Sequence, residues 1–227
     1  VVAALALAAW TVAGSHRELR AWLEGPEAGV RRALVAVPLP VALAIGERGG
    51  ALRLDRLRLR DPLVTLRDGR AEVVAVADAE GALAWRDRPV AVSYLGRERL
   101  VLVRRPGAGW TVEGSPVPRL TALLATLSRR ADAFEDGDAE AYRPLVDDGY
   151  RGAEEGKAAL LRRLASDLGA RPRAHLRPLA WQVRIERETA QVGEDYEIAV
   201  GGRPARRLRA RLDLREEGGR WRFTEGL

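Results

Sequence analysis

The apolar residues of this chain change their spacing several times, and each change predicts a change of element. Val1 to Ala13 carry no charge and no polar face, and Gly14-Ser15-His16-Arg17 ends the run. Leu19, Trp22 and Leu23 then share one helical face, and Gly25-Pro26 breaks the chain. Val30, Leu34 and Val37 recur at helical spacing until Pro38 and Pro40 stop them. From Val41 the period is two. Leu52 and Leu54, then Leu57 and Leu59, alternate with polar residues, and the slip of phase at Asp55-Arg56 predicts a bulge. Asp61-Pro62 is expected to interrupt the next strand. Asp68-Gly69 is the strongest hairpin dipeptide, joining a strand through Val64 and Leu66 to one through Val73 to Ala77. Further strands are expected around Val90 to Tyr94, Leu100 to Val103 and Trp110 to Val112.

Gly114-Ser115-Pro116-Val117-Pro118 has the composition of a linker, and helical spacing returns after it. Leu120, Leu123, Leu124, Leu127, Ala131 and Phe134 form one stripe that stops at Gly137. Asp138 caps a short second helix with Tyr142, Leu145 and Val146 inward, and Pro144 limits it. Leu160, Leu161, Leu164 and Leu168 mark a third helix ending at Gly169. Alternation then predicts strands through Val183 and Ile185, through Val192 to Val200, through Leu208 to Leu214, and through Trp221 and Phe223. The expected division is an apolar segment 1–14, a β-rich domain 15–114 with short N-terminal helices, a linker 115–118 and a domain 119–227.

The stretch "ADAFEDGDAEAYRPLVDDGYRG", the helix "GKAALLRRLASDL" and the ending "RRLRARLDLREEGGRWRF" resemble the nuclear-transport-factor-2-like superfamily, which includes SnoaL-like polyketide cyclases and ketosteroid isomerases. The resemblance covers a little under half the chain. It implies an α+β fold: a C-terminal cone of three helices and a curved antiparallel sheet, preceded here by the β-rich domain. Such a cone can enclose an apolar pocket, and the resemblance also implies a homodimer. Many members have no catalysis, and no motif transfers a catalytic residue to this chain. Independently, "RLVLVRRPGAGWTVEG" superposes on "RARLDLREEGGRWRFTEG", placing Trp110 on Trp221, Gly107 on Gly218 and Arg104 on Arg215. Val64, Leu66, Ala71 and Val73 then fall on Val183, Ile185, Ala190 and Val192. The first half is either a reduced repeat of the second or an open β-rich module.

Composition narrows the function. With 227 residues, 47% hydrophobic and 31% charged, the chain has the makings of a substantial core. The net charge of +6 comes from arginines and the single Lys157. Asparagine is absent as well, so much of this excess reflects GC-rich coding, and no nucleic-acid partner is expected. The absence of cysteine excludes disulfides, thiolate metal sites and a cysteine nucleophile. The first 13 residues are too short to span a bilayer, which takes about 20, but match the apolar core of a secretory signal or the end of a membrane anchor. Export to the periplasm or membrane contact through this segment is therefore expected. The alternative is a buried helix of a cytoplasmic protein.

Candidate chemistry is sparse. Alternation that buries Val192, Tyr196 and Ile198 also turns Glu194 inward, where a carboxylate could act as general acid or base, unless a bulge at Gly193 turns it outward. Tyr196, two residues on, would add a hydroxyl donor to the same face, and Tyr142, Tyr150 and Trp181 either line a pocket mouth or fill the core. His175 has the solvent-facing parity, between Arg173 and Arg177. Two distant histidines make no zinc set, and Gly152 to Ala158 lacks phosphate-loop spacing, so neither metal nor cofactor is expected. The expected function is a non-catalytic exported or membrane-tethered module whose cone binds a partner protein or a small apolar ligand, with Glu194, Tyr196, Tyr142, Tyr150 and Trp181 as candidate contacts. The alternatives are an isomerase- or cyclase-like enzyme using Glu194, and an envelope lipid-handling β-module.

Overall fold

The structure, a computed structural model, describes residues 25, 27–46, 50–86, 88–152, 156–169, 174–201 and 203–227. The segment 1–14 and the helix expected over Arg17 to Glu24 lie outside them. The described residues form an α+β fold with few helices and one large curved sheet. In chain order these are α1 (Ala28–Val35), β1 (Val41–Ile45), β2 (Gly50–Arg67), β3 (Arg70–Trp85), β4 (Arg88–Arg105) and β5 (Gly109–Glu113). Then follow α2 (Pro118–Asp136), a 3-10 helix (Glu140–Leu145), α3 (Lys157–Gly169), β6 (Ala174–Glu186), β7 (Thr189–Val200), β8 (Arg206–Glu217) and β9 (Arg220–Glu225).

The strands lie in the order β1-β2-β3-β4-β6-β7-β8-β9, and β5 pairs with β4 off this path. Every pairing is antiparallel except that of β4 with β6. That exception makes a fork. Ala91 to Gly96 of β4 pair with Ala180 to Ile185 of β6, while Val101 to Arg105 on the same edge pair with β5.

Two strand expectations are corrected. Asp61-Pro62 does not interrupt β2; the strand continues through a register shift between Arg60 and Leu63, with Asp61 at φ 51°. Proline lacks an N–H, and it is tolerated because β1 pairs only with Gly50 to Leu54 and leaves this edge of β2 uncovered. The segments around Val90 to Tyr94 and Leu100 to Val103 are one strand, β4, whose alternation is masked in sequence by Gly96 and Glu98 on the buried face. The phase slip at Asp55-Arg56 is present as a register shift, and Asp68-Gly69 makes the hairpin with both residues at positive φ.

The inner face of the sheet carries the core. α2 crosses it against β1, β4, β6 and β9, burying Leu120, Leu123, Leu124 and Leu127 completely. Each such leucine contributes about 1.5–3 kcal/mol. The helix opens on Pro118, and Gly137 in the left-handed region ends it. Asp138 accepts the Ala141 N–H at 3.0 Å and so caps the next turn, which is 3-10 rather than α-helical, as Pro144 within it favours. The chain does not leave the core between the halves, since Val117 is fully buried. α1 covers the far end, placing Val30 and Leu34 on Val73, Leu100 and Leu102.

The two hairpins share one register. Val64 pairs Val73 and Leu66 pairs Ala71 across the first turn, as Val183 pairs Val192 and Ile185 pairs Ala190 across the second. The match continues into the next strands, where Ala71 and Val73 meet Leu102 and Leu100 as Ala190 and Val192 meet Leu214 and Leu212. At the closing hairpins the sequence superposition needs adjustment. Trp110 pairs Arg104 but Trp221 pairs Glu216, so the longer β4–β5 turn sets Arg104 opposite Glu216 rather than Arg215.

Candidate functional site

Glu194 is turned inward, and Gly193 holds regular pairing with Gln182 instead of forming a bulge. The cross-strand partner of Glu194 is Trp181, whose indole N–H donates to its Oε1 at 2.9 Å. From α2, the Nη1 of Arg130 donates to Oε1 at 3.0 Å and to Oε2 at 2.8 Å. Both carboxylate oxygens are therefore engaged from within the chain. Burial works against the charge on Arg130, but Glu194 outweighs it and raises the guanidinium above its ordinary value. The guanidinium also lies over the Phe223 ring, 5.9 Å from its centroid. An inward carboxylate was legible from alternation, whereas Arg130 was not singled out. Its signal is its place on the stripe, three residues after Leu127.

Tyr142, on the 3-10 helix, is buried, and burial pushes its hydroxyl up to about 12, with Arg130 pulling it down and Glu194 adding to the rise. Tyr196 lies two residues beyond Glu194 on the same strand face and is half-buried. Arg130 and Trp181 thus meet on the Glu194 carboxylate. Tyr150 is spent elsewhere: its hydroxyl donates to the Leu227 carbonyl and accepts the Leu227 N–H, both at 3.0 Å. Beyond Tyr196 the inner face opens. Ile198 is half-buried, and Leu208, paired opposite Tyr196, is exposed.

A second buried carboxylate, Glu98, was missed because the strand carrying it was divided in the sequence reading. Its oxygens accept the Tyr94 hydroxyl at 2.8 Å and the N–H groups of Arg119 at 2.9 Å and Leu120 at 3.0 Å, the first turn of α2. Burial pushes Glu98 up to about 7, against the pull of these three donors, and burial together with Glu98 raises Tyr94. Arg119 fills the fork beside it, donating to the carbonyls of Arg97 (3.0 Å) and Arg187 and to Glu216 (2.5 Å), and lying over the Trp221 ring. In the shared register, the rung after Val73 and Leu100 pairs Ala75 with Glu98, and the rung after Val192 and Leu212 pairs Glu194 with Ala210. Each half buries one glutamate at the same rung, on opposite strands.

On the outer face a groove of about 470 Å³ crosses the β4–β6 joint. Arg56 bridges Asp78 and Glu80 there at 3.0 and 2.6 Å, while Arg184 is paired with Glu186 and Arg211 with Asp213, as in a solvated face. His175 is exposed, with Nδ1 3.2 Å from Glu135. Among the described residues, no three His, Asp or Glu side chains could together hold a metal ion, and no helix is long and apolar enough to cross a membrane.

No protein family matches the sequence, and no curated protein does. Solved structures are similar to somewhat under half of the chain. An uncharacterised protein with a cystatin-like fold from Caulobacter vibrioides is 15% identical, with 47% of this chain and 85% of that one covered and a TM-score of 0.43. An NTF2-like protein of unknown function from Pseudomonas putida is 17% identical, covering 46% and 80%, with a TM-score of 0.42. A protein named provisionally as a ketosteroid isomerase, from Shewanella frigidimarina, is 14% identical, covering 44% and 89%, with a TM-score of 0.40.

Proposed function

We propose that the protein is a non-catalytic binding module, exported or membrane-tethered through its first residues, that receives a small apolar molecule at the open end of a C-terminal cone. The cone comprises α2, the 3-10 helix and α3 against β6 to β9, and the half before it is a reduced version of the same plan. The observation that carries this reading is the engagement of both Glu194 oxygens by Arg130 and Trp181, beneath a rim made of Tyr196, Ile198 and Leu208. A general base must present an oxygen to the substrate, and this carboxylate has none turned outward. The isomerase- or cyclase-like alternative loses its proton shuttle for that reason. The apolar rim supports binding without chemistry, because an apolar wall with a few polar groups is the usual composition of a small-molecule site.

Native mass spectrometry of the full chain, with decanol added as an uncharged apolar probe, tests this. A one-to-one adduct that Leu208→Asp abolishes is expected. A chain that takes up no decanol overturns the reading. Export is checked separately by fractionating expressing cells, where recovery of the chain solely in the cytosol removes that part.

A further inference from the structure

The manner in which Arg130 holds Glu194 leaves half of its guanidinium unused. An arginine committed to one carboxylate ordinarily meets it fork to fork, with two nitrogens on two oxygens. Here Nη1 alone reaches both oxygens. The side chain is 9% exposed, and its Nε is buried without a hydrogen-bond partner. Buried N–H groups in folded proteins are otherwise nearly always paired. The edge formed by Nε and Nη2 is the part of a guanidinium that best fits a planar pair of oxygens, and among the described residues none supplies an oxygen to it. Tyr196 lies two residues beyond Glu194 on the same strand face, and that face continues to the apolar rim.

We propose that the Nε–Nη2 edge of Arg130 is the recognition element for the acid head of the ligand, which is therefore an apolar carboxylic acid. The inference rests on the binding reading above and specifies its ligand class. The head group would share the guanidinium with Glu194, one carboxylate on each side, and the apolar body would extend along Tyr196 and Ile198 towards Leu208. Two carboxylates on one cation demand further donors. The Trp181 N–H on Glu194 already supplies one.

Calorimetric titration of the full chain at pH 7.5 with decanoate, methyl decanoate and decanol, each below its aggregation limit, separates the possibilities. The expected result is decanoate binding at least tenfold more tightly than either uncharged probe, with Arg130→Lys, which keeps the charge but lacks the fork, reducing that preference to less than twofold. Equal affinity for the three probes overturns the acid-head assignment and leaves the apolar site standing. Failure of all three to bind overturns both. Should Arg130→Lys fail to fold, the wild-type Arg130 ¹⁵Nε resonance provides the second readout. It shifts with decanoate and not with decanol if the assignment holds, and a resonance unmoved by bound decanoate refutes it.

Discussion

Replacing Glu194 with glutamine keeps the shape of the side chain but leaves the Arg130 guanidinium buried beside an amide. Two unit charges about 4 Å apart attract by about 4 kcal/mol at an effective dielectric near 20. The N–O distances of 2.8 and 3.0 Å, with the carboxylate fully enclosed, place this pair in that regime. Breaking one side of a buried pair costs about 3–5 kcal/mol, because the survivor keeps its desolvation penalty without its partner. Arg130→Met should cost a similar amount, as it leaves Glu194 only the Trp181 N–H. The double variant removes both charges, and about 2–3 kcal/mol of the summed loss should return as coupling. Urea unfolding followed by tryptophan fluorescence reads this directly. With a slope of about 3 kcal/mol per molar, each single variant lowers the midpoint by about 1–1.7 M. Strictly additive single and double losses, with coupling under about 1 kcal/mol, would refute the claim that the pair acts as a unit.

Other consequences are open to measurement. Because burial raises Glu98 from the ordinary glutamate value to about 7, the folded chain holds a proton that the unfolded chain has released; stability therefore falls as pH rises from about 4.5 to 7, by about 3 kcal/mol from this group. Urea midpoints at pH 5 and pH 8 should show Glu98→Gln losing that part of the pH dependence, and an unchanged pH profile contradicts the assignment. Arg119→Lys should lower stability by about 1.5–3 kcal/mol, since a single ammonium cannot reach Glu216 and the Arg97 and Arg187 carbonyls together; a melting temperature equal to wild type refutes this. A Cβ on Gly96 would lie 2.7 Å from the Tyr94 hydroxyl and 2.8 Å from the Ile185 Cβ, so Gly96→Ala should cost about 1–3 kcal/mol and loosen the β4–β6 joint, read as faster amide exchange along Ala91 to Gly96.

Much of the element order was legible because hydrophobic spacing is set by local geometry. The α2 stripe, the stop at Gly137, the Asp138 cap and the Asp68-Gly69 hairpin each depend on residues within a turn or two. Continuity was harder to see. β4 was divided because Gly96 and Glu98 occupy inward positions that alternation assigns to apolar residues, and their placement depends on Ile185 and on the start of α2. The inward direction of Glu194 followed from period two, yet its partner could not. Arg130 lies 64 residues away, and only the packing of α2 on the inner face of the sheet identifies it. Tyr150 was grouped with Tyr142 by chemistry, whereas the structure uses its hydroxyl on Leu227.

The parallel joint between β4 and β6 also has a kinetic side. Every other pairing in the sheet unites strands that are consecutive in the chain, so the meanders β1 to β5 and β6 to β9 consist of contacts that can close in microseconds. Ala91 meets Ala180 only after about 90 residues of intervening chain, including both later helices, have been gathered in. Until then β4 and β6 each present an open edge of the kind that pairs with whatever strand is at hand. The molecule is therefore most vulnerable to mispairing with its own copies late in folding, at a time when both meanders are complete but unjoined.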